Sequence, residues 1–122
     1  MFQNAQAGPA LDLYSQVVPG FDVTFRRDYG PDGDGPEGSV EMAHAQIGTH
    51  RLIVLDSPIT HDFGFTPSVS LFLTFKQAAQ LDACFAGLLD GGEVMMPIDD
   101  YGFSPRFGWL TDRFGVSWQL SL

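Results

Sequence analysis

The last twenty residues, Phe103 to Leu122, constrain the fold more than any other stretch. They read FSPRFGWLTDRFGVSWQLSL, two short runs of alternating apolar and polar residues on either side of Asp112-Arg113-Phe114-Gly115. Phe107, Trp109 and Leu110 lie before that segment; Val116, Trp118 and Leu120 follow it. Alternation has the two-residue period of a strand, and a Gly-containing break folds two such runs back on each other. The stretch predicts a β-hairpin with one buried face. The faces of its two tryptophans depend on the hairpin register. In one, Trp118 packs under a helix and Gln119 points to the opposite side; in the other, the two faces are exchanged.

Upstream, the same order of elements occurs twice. Ala7 to Val18 carries Ala10, Leu11, Leu13, Tyr14, Val17 and Val18 at helical spacing, and Pro19-Gly20 ends it. Phe21 to Arg27 alternates as a strand through Phe21, Val23 and Phe25. Tyr29 to Gly38 is too rich in Gly, Pro and Asp to be anything but a loop. Ser39 to Ile47 and Arg51 to Ser57 predict two further strands around Gly48-Thr49-His50. In the second half, Pro67 to Phe75 reads as a strand and Gln77 to Leu89 as a helix closed by Gly91-Gly92. Glu93 to Met96, Arg106 to Thr111 and Gly115 to Leu122 complete it. No residue-level repeat links the halves. The repeat is one of element order, β-α-β-β-β.

A chain of 122 residues, 44% hydrophobic, suits one domain with a real core. No run of eighteen apolar residues is present, so no membrane span is expected. Met1-Phe2-Gln3-Asn4 lacks the basic start and apolar stretch of a signal peptide. The single cysteine cannot form an internal disulfide. Together these features fit a cytoplasmic protein. Six basic residues against fifteen acidic give a net charge of −9. A phosphate backbone is bound by Lys and Arg displacing counterions, so this balance argues against nucleic acid as a partner.

The closing words D-R-F-G-V-S-W-Q-L resemble the vicinal-oxygen-chelate superfamily of glyoxalase, bleomycin-resistance and extradiol-dioxygenase relatives. More narrowly they are similar to its PhnB-like branch, labelled demethylubiquinone methyltransferase-like. Met1-Phe2-Gln3 is similar to the end of that family's first strand, and Leu11-Asp12-Leu13-Tyr14 to a helix carrying F/L-x-x-Y. Gly91 to Pro97, GGEVMMP, resembles the strand before the final hairpin. The resemblance implies an α+β fold. Its two β-α-β-β-β modules, about 1–57 and 67–122, would form a cupped, mostly antiparallel half-barrel around a cavity. Pairing of chains in the family implies a homodimer, as does a first strand too short to close its own sheet edge.

The superfamily's enzymes hold a divalent metal in that cavity. Aligned by motif, the ligand positions fall on Gln3, about Val54, Ser70 and Gln119, and a two-residue shift brings in Asp56. Divalent ions prefer imidazole and carboxylate donors, and this set offers one carboxylate at most. No metal and no cofactor are therefore expected. The methyltransferase label also lacks its chemistry here, because no strand leads through a glycine-rich turn into a helix to hold a nucleotide-bearing cofactor.

Other candidates can be weighed singly. His44 shares one predicted strand face with Val40, Met42 and Gln46. It could line the cavity as a base near neutral pH, or be a strand residue hydrogen-bonded to backbone. His50 sits in a turn. His61 and Asp62 lie in the connection Ser57 to Thr66 with no evident serine or cysteine partner. Cys84 has a core-like helical setting. Asp32 to Glu37 has a proline at a calcium-ligand position and no closing glutamate.

Two readings of function follow. One is a metal-independent binding protein for a small molecule, its apolar cavity lined by Phe72, Trp109 and Trp118 with polar groups at Gln3, Ser70 and Gln119. The other is an enzyme that uses His44, a loop residue or a weakly bound metal. Elemental analysis, and activity with and without a chelator, separates them.

Overall fold

In the first half of the chain, helix α1 (Ala7–Val17) buries Ala7, Ala10, Leu11 and Tyr14 on one stripe. Strands β1 (Phe21–Asp28), β2 (Val40–Ile47) and β3 (His50–Val54) form an antiparallel sheet in that order. The computed structural model describes residues 1–122 and divides into two units, Met1–Gly64 and Phe65–Leu122.

Within the first unit, Gly8 lies against the guanidinium of Arg26, whose cross-strand partner is Ala43. The helix therefore covers the sheet face that carries Ala43, Ala45 and Val54. Small residues at 43 and 45 let the helix come close, and Tyr14 meets Phe21 edge-on at 5.6 Å. The expected first strand is reduced to one parallel bridge, Phe2 with Asp56. Its backbone bonds run from Phe2 N–H to the Leu55 carbonyl (2.7 Å) and from Ser57 N–H to the Phe2 carbonyl (2.8 Å).

The uniform alternation expected in β1 and β2 is broken twice. Val23 and Phe25 pair with the consecutive residues Ala45 and His44, which leaves Thr24 extra on β1. Arg27 and Asp28 pair with Met42 and Val40, which leaves Glu41 extra on β2. Such bulges shift one strand by a residue and reverse which face is presented. Val40 is thereby buried along with Ala43 and Ala45, and does not share the face of Met42, His44 and Gln46.

The second unit holds strand β4 (Leu71–Thr74), helix α2 (Ala78–Leu89) and strands β5 (Glu93–Asp99), β6 (Phe107–Thr111) and β7 (Ser117–Ser121). The sheet order is β4-β7-β6-β5. Only β4 and β7 are parallel. In both units the opening segment thus pairs in parallel with the closing one, and the middle strands extend the sheet. That is the β-α-β-β-β repeat, and the fold is α+β.

Helix α2 buries Leu81, Cys84, Phe85 and Leu88. A methyl group built on Gly108 would lie 2.5 Å from the Phe85 ring, so only glycine lets that ring onto the strand. Gly108, Leu110, Trp118 and Leu120 pair across β6 and β7 and form the helix-side face. Trp118 and Leu110 are each 0% exposed.

Several boundaries depart from expectation, and β3 closes at Val54 rather than Ser57. Strand β4 begins at Leu71, not Pro67, since Pro67 to Val69 turn and Val69 is 78% exposed. Strand β5 runs on past Met96 through Pro97 to Asp99. A proline fits there because β5 is an edge strand and needs no second ladder. Strand β7 starts at Ser117, after a turn in which Gly115 N–H bonds the Asp112 carbonyl and Gly115 takes φ +86°.

Candidate functional site

The face of the second sheet turned away from α2 gathers four of the expected site residues. Trp109 pairs with Gln119, Phe107 with Ser121 and Thr111 with Ser117, so all six side chains share that face. Phe72 lies beside Gln119 in the parallel pair of β4 and β7. Ser70 sits one residue before β4 begins.

These side chains form a continuous polar chain. The indole Nε1–H of Trp109 donates to Ser117 Oγ at 2.8 Å. Ser117 Oγ lies 2.7 Å from Ser70 Oγ, and Gln119 Nε2 donates to Ser70 Oγ at 3.2 Å. Aromatic rings flank it. Phe107 has Phe72 at 6.4 Å, Tyr101 edge-on at 5.9 Å and Phe103 edge-on at 4.9 Å. Phe107 is buried beneath them, whereas Phe72 (57%) and Phe103 (68%) are exposed. The Tyr101 hydroxyl is fixed by donating to the Pro97 carbonyl at 2.7 Å. The result is an aromatic surface with a polar strip and no ionised group in the strip.

The remaining expected residues lie elsewhere. Gln3 clamps the segment after β3: its Nε2 donates to the Phe63 carbonyl and its Oε1 accepts from His61 N–H, both at 2.7 Å. Val54 is a correction. It pairs with Ala43 on the helix-side face and is buried, because the strand places it one residue out of register with the open face, where Ile53 stands 67% exposed. Asp56 is a second correction. It is 1% exposed, with Oδ1 accepting from Ala7 N–H and Oδ2 from Val40 N–H, both at 2.9 Å. A carboxylate so occupied joins helix α1 to strand β2 and is not offered to a ligand. His44 is exposed on the open face of the first sheet, its ring 5.3 Å from that of Phe25.

Two further expectations change. Trp118 is in the core and does not line an apolar site; its Nε1–H donates to Asp112 Oδ2 at 2.9 Å. His61 does have a serine partner: its Nε2 is 2.9 Å from Ser57 Oγ, and Phe63 stacks on the ring at 4.7 Å. Ser57 Oγ also donates to the Ile59 carbonyl at 2.8 Å, so this hydroxyl braces its own loop. Cys84 is buried, and burial pushes its thiol up to about 12.

The donor set does not fit a divalent metal. Both polar ends of Gln3 and both oxygens of Asp56 are engaged within the chain, and no three His, Cys, Asp or Glu side chains converge. Sequence reasoning missed Ser117, Tyr101 and Phe103. Ser117 was within reach, since it lies two residues before Gln119 and shares its face by strand period alone.

A family model described as 3-demethylubiquinone-9 3-methyltransferase matches residues 1–121. A PhnB protein from Bacillus cereus is 35% identical, with a TM-score of 0.93, over 100% of this chain and 94% of that one. A protein from Pseudomonas aeruginosa is 26% identical with a TM-score of 0.82, over 99% and 95% of the two chains. A glyoxalase family protein from Enterococcus faecalis shares the fold at 18% identity and a TM-score of 0.58, over 98% and 90%. No curated protein matches the chain.

Proposed function

The chain belongs to the 3-demethylubiquinone-9 3-methyltransferase family, the PhnB-like branch of the vicinal-oxygen-chelate superfamily, and we propose that within it this protein binds a small molecule without using a metal. The observation that carries this reading is the open face of the second sheet. There Ser70, Ser117, Trp109 and Gln119 form an uncharged polar strip beside Phe72, Phe107 and Phe103. Small-molecule sites combine much apolar and aromatic surface with a few fixed polar groups that set orientation. The set lacks the imidazole and carboxylate donors that divalent ions favour.

The methyl transfer in the family's description finds little support in this chain. No glycine-rich strand-to-helix turn is present, and the one parallel strand pair, β4 with β7, is not joined through a nucleotide-binding loop. A fold hosts many chemistries, so the family name alone does not assign one.

A homodimer in the cytoplasm belongs to the same reading. Strands β1, β4 and β5 are sheet edges with unpaired backbone groups, and Phe25, Ile53 and Phe72 are exposed. No helix is long and apolar enough to cross a membrane. Sedimentation at micromolar concentration checks the dimer, and a single 13.3 kDa species rejects it.

The test of function is calorimetric titration with a panel of apolar aromatic compounds, before and after dialysis against a chelator. Binding should be unchanged by the chelator. Stoichiometric zinc, nickel or iron surviving dialysis, or binding restored only by added metal, overturns the proposal.

A further inference from the structure

The hydrogen bonds of the polar strip do not balance, and the imbalance describes a ligand. Trp109 donates to Ser117, Gln119 donates to Ser70, and one bond joins the two serine oxygens. That bond uses one of two hydroxyl protons. The second has no acceptor within the chain.

Burial decides which serine keeps it. Ser117 is 2% exposed and already accepts from the indole. If Ser117 also accepted from Ser70, its own proton would be buried without a partner, which is costly. Ser117 therefore donates to Ser70, which is less buried. Ser70 accepts twice, and its O–H is left to donate outward. Beside it, Gln119 Oε1 accepts from no group of the chain, and Phe72 lies in register with Gln119.

Charge narrows the class further. Of the cations in the second unit, Arg106 is held by Asp82 through two bonds of 2.7 and 2.8 Å, and Arg113 by Asp90 at 3.1 Å. Lys76 follows β4 at the end away from Ser70. An anionic ligand would find no counterion on the strip, and the chain carries −9 overall.

Resting on the binding reading above, we infer that the ligand is an uncharged aromatic molecule bearing an oxygen acceptor, its ring against Phe72 and Trp109 and its oxygen on the Ser70 hydroxyl. A carbonyl or ether oxygen satisfies the free proton. A bare hydrocarbon leaves it unmet, and a carboxylate brings an unpaired charge.

The experiment titrates the full chain with 2-acetylnaphthalene, naphthalene and 2-naphthoate, following the two indole Nε1–H resonances by NMR. A Trp109→Phe variant assigns them. The ketone should bind about tenfold more tightly than naphthalene, the scale of one hydrogen bond to an otherwise unpaired polar group. Naphthoate should bind more weakly than either. The Trp109 resonance should move and that of buried Trp118 should not. Ser70→Ala should remove the preference for the ketone and keep the affinity for naphthalene, with the Trp118 resonance reporting an intact fold. If that variant does not fold, the ratio of ketone to naphthalene on the unmodified chain decides alone. Equal binding of ketone and naphthalene, or tighter binding of naphthoate, overturns the ligand class and leaves the binding reading standing. Binding of none of the three overturns both.

Discussion

Asp112 and Trp118 are joined by a 2.9 Å hydrogen bond from the indole Nε1–H to Oδ2, which ties the closing turn to the fully buried end of β7. The same carboxylate accepts from Phe114 N–H at 2.8 Å and Val116 N–H at 3.1 Å through Oδ1. One side chain thus satisfies the turn and the largest core residue together. Asp112→Asn keeps an oxygen for the two amides and sets an N–H donor against the indole N–H. We expect a loss of about 1–3 kcal/mol, the cost of an unmet buried donor. Urea unfolding of both proteins measures it, and a change below ~0.5 kcal/mol would show that the indole bond contributes nothing.

Neighbouring residues on β7 should behave oppositely. Trp118→Ala removes a 0%-exposed side chain from beneath α2 and should cost ~3–5 kcal/mol. Gln119→Ala on the open face should change stability by less than ~1 kcal/mol and alter ligand binding. Thermal melts of the two variants decide it, and a greater loss in Gln119→Ala would mean that the faces are assigned the wrong way round.

Trp118 and Val54 show what was legible in the sequence and what was not. Local alternation fixes which way a side chain points when the strand is regular, as in β6 and β7, where five consecutive pairs run without a slip. Alternation there sets Trp118 and Gln119 on opposite faces, while which of them lies toward the helix follows only from the register of the folded hairpin. In the first unit the bulges at Thr24 and Glu41 each add a residue without any glycine or proline to announce it. Val40 was misplaced there by one position. Strands β2 and β3 pair without a slip, and Val54 became a candidate through the family's ligand positions, not through alternation. The polar strip was half legible, because Ser70 and Ser117 are 47 residues apart and meet only once β4 pairs with β7. The use of Gln3 and Asp56 as internal braces depends on long-range contacts that no local pattern encodes.

Cys84 should be inert while the protein is folded. Burial raises its thiol from an ordinary value of 9.0 to about 12, so the reactive thiolate is scarce at neutral pH. An aromatic disulfide reagent at pH 8 should label it only after denaturant is added. The raised value also gives a pH dependence. A thiol kept neutral in the fold contributes stability that is fully present below the unfolded value near 9 and is lost as pH rises toward 12. Between pH 9 and 11 the native chain should lose about 1 kcal/mol per pH unit relative to Cys84→Ala. Parallel pH profiles for the two proteins would show that the thiol is not buried.

Asp56 separates a structural from a ligating role. Its two oxygens accept from the first residues of α1 and β2, Ala7 and Val40, and Phe2 pairs with the same residue through the backbone. Asp56→Ala leaves both N–H groups buried without acceptors, and each such loss costs ~1–3 kcal/mol. We expect a total of about 2–4 kcal/mol, because the two amides lie in a buried environment where water cannot readily replace the carboxylate. Asp56→Asn should recover part of it, since one oxygen remains to serve one amide. Ligand affinity, measured on whatever fraction stays folded at low temperature, should match the unmodified chain in both variants. A variant of normal stability with lost binding or lost metal content would place Asp56 in a binding site after all, and would mean that its carboxylate turns away from Ala7 and Val40 in solution.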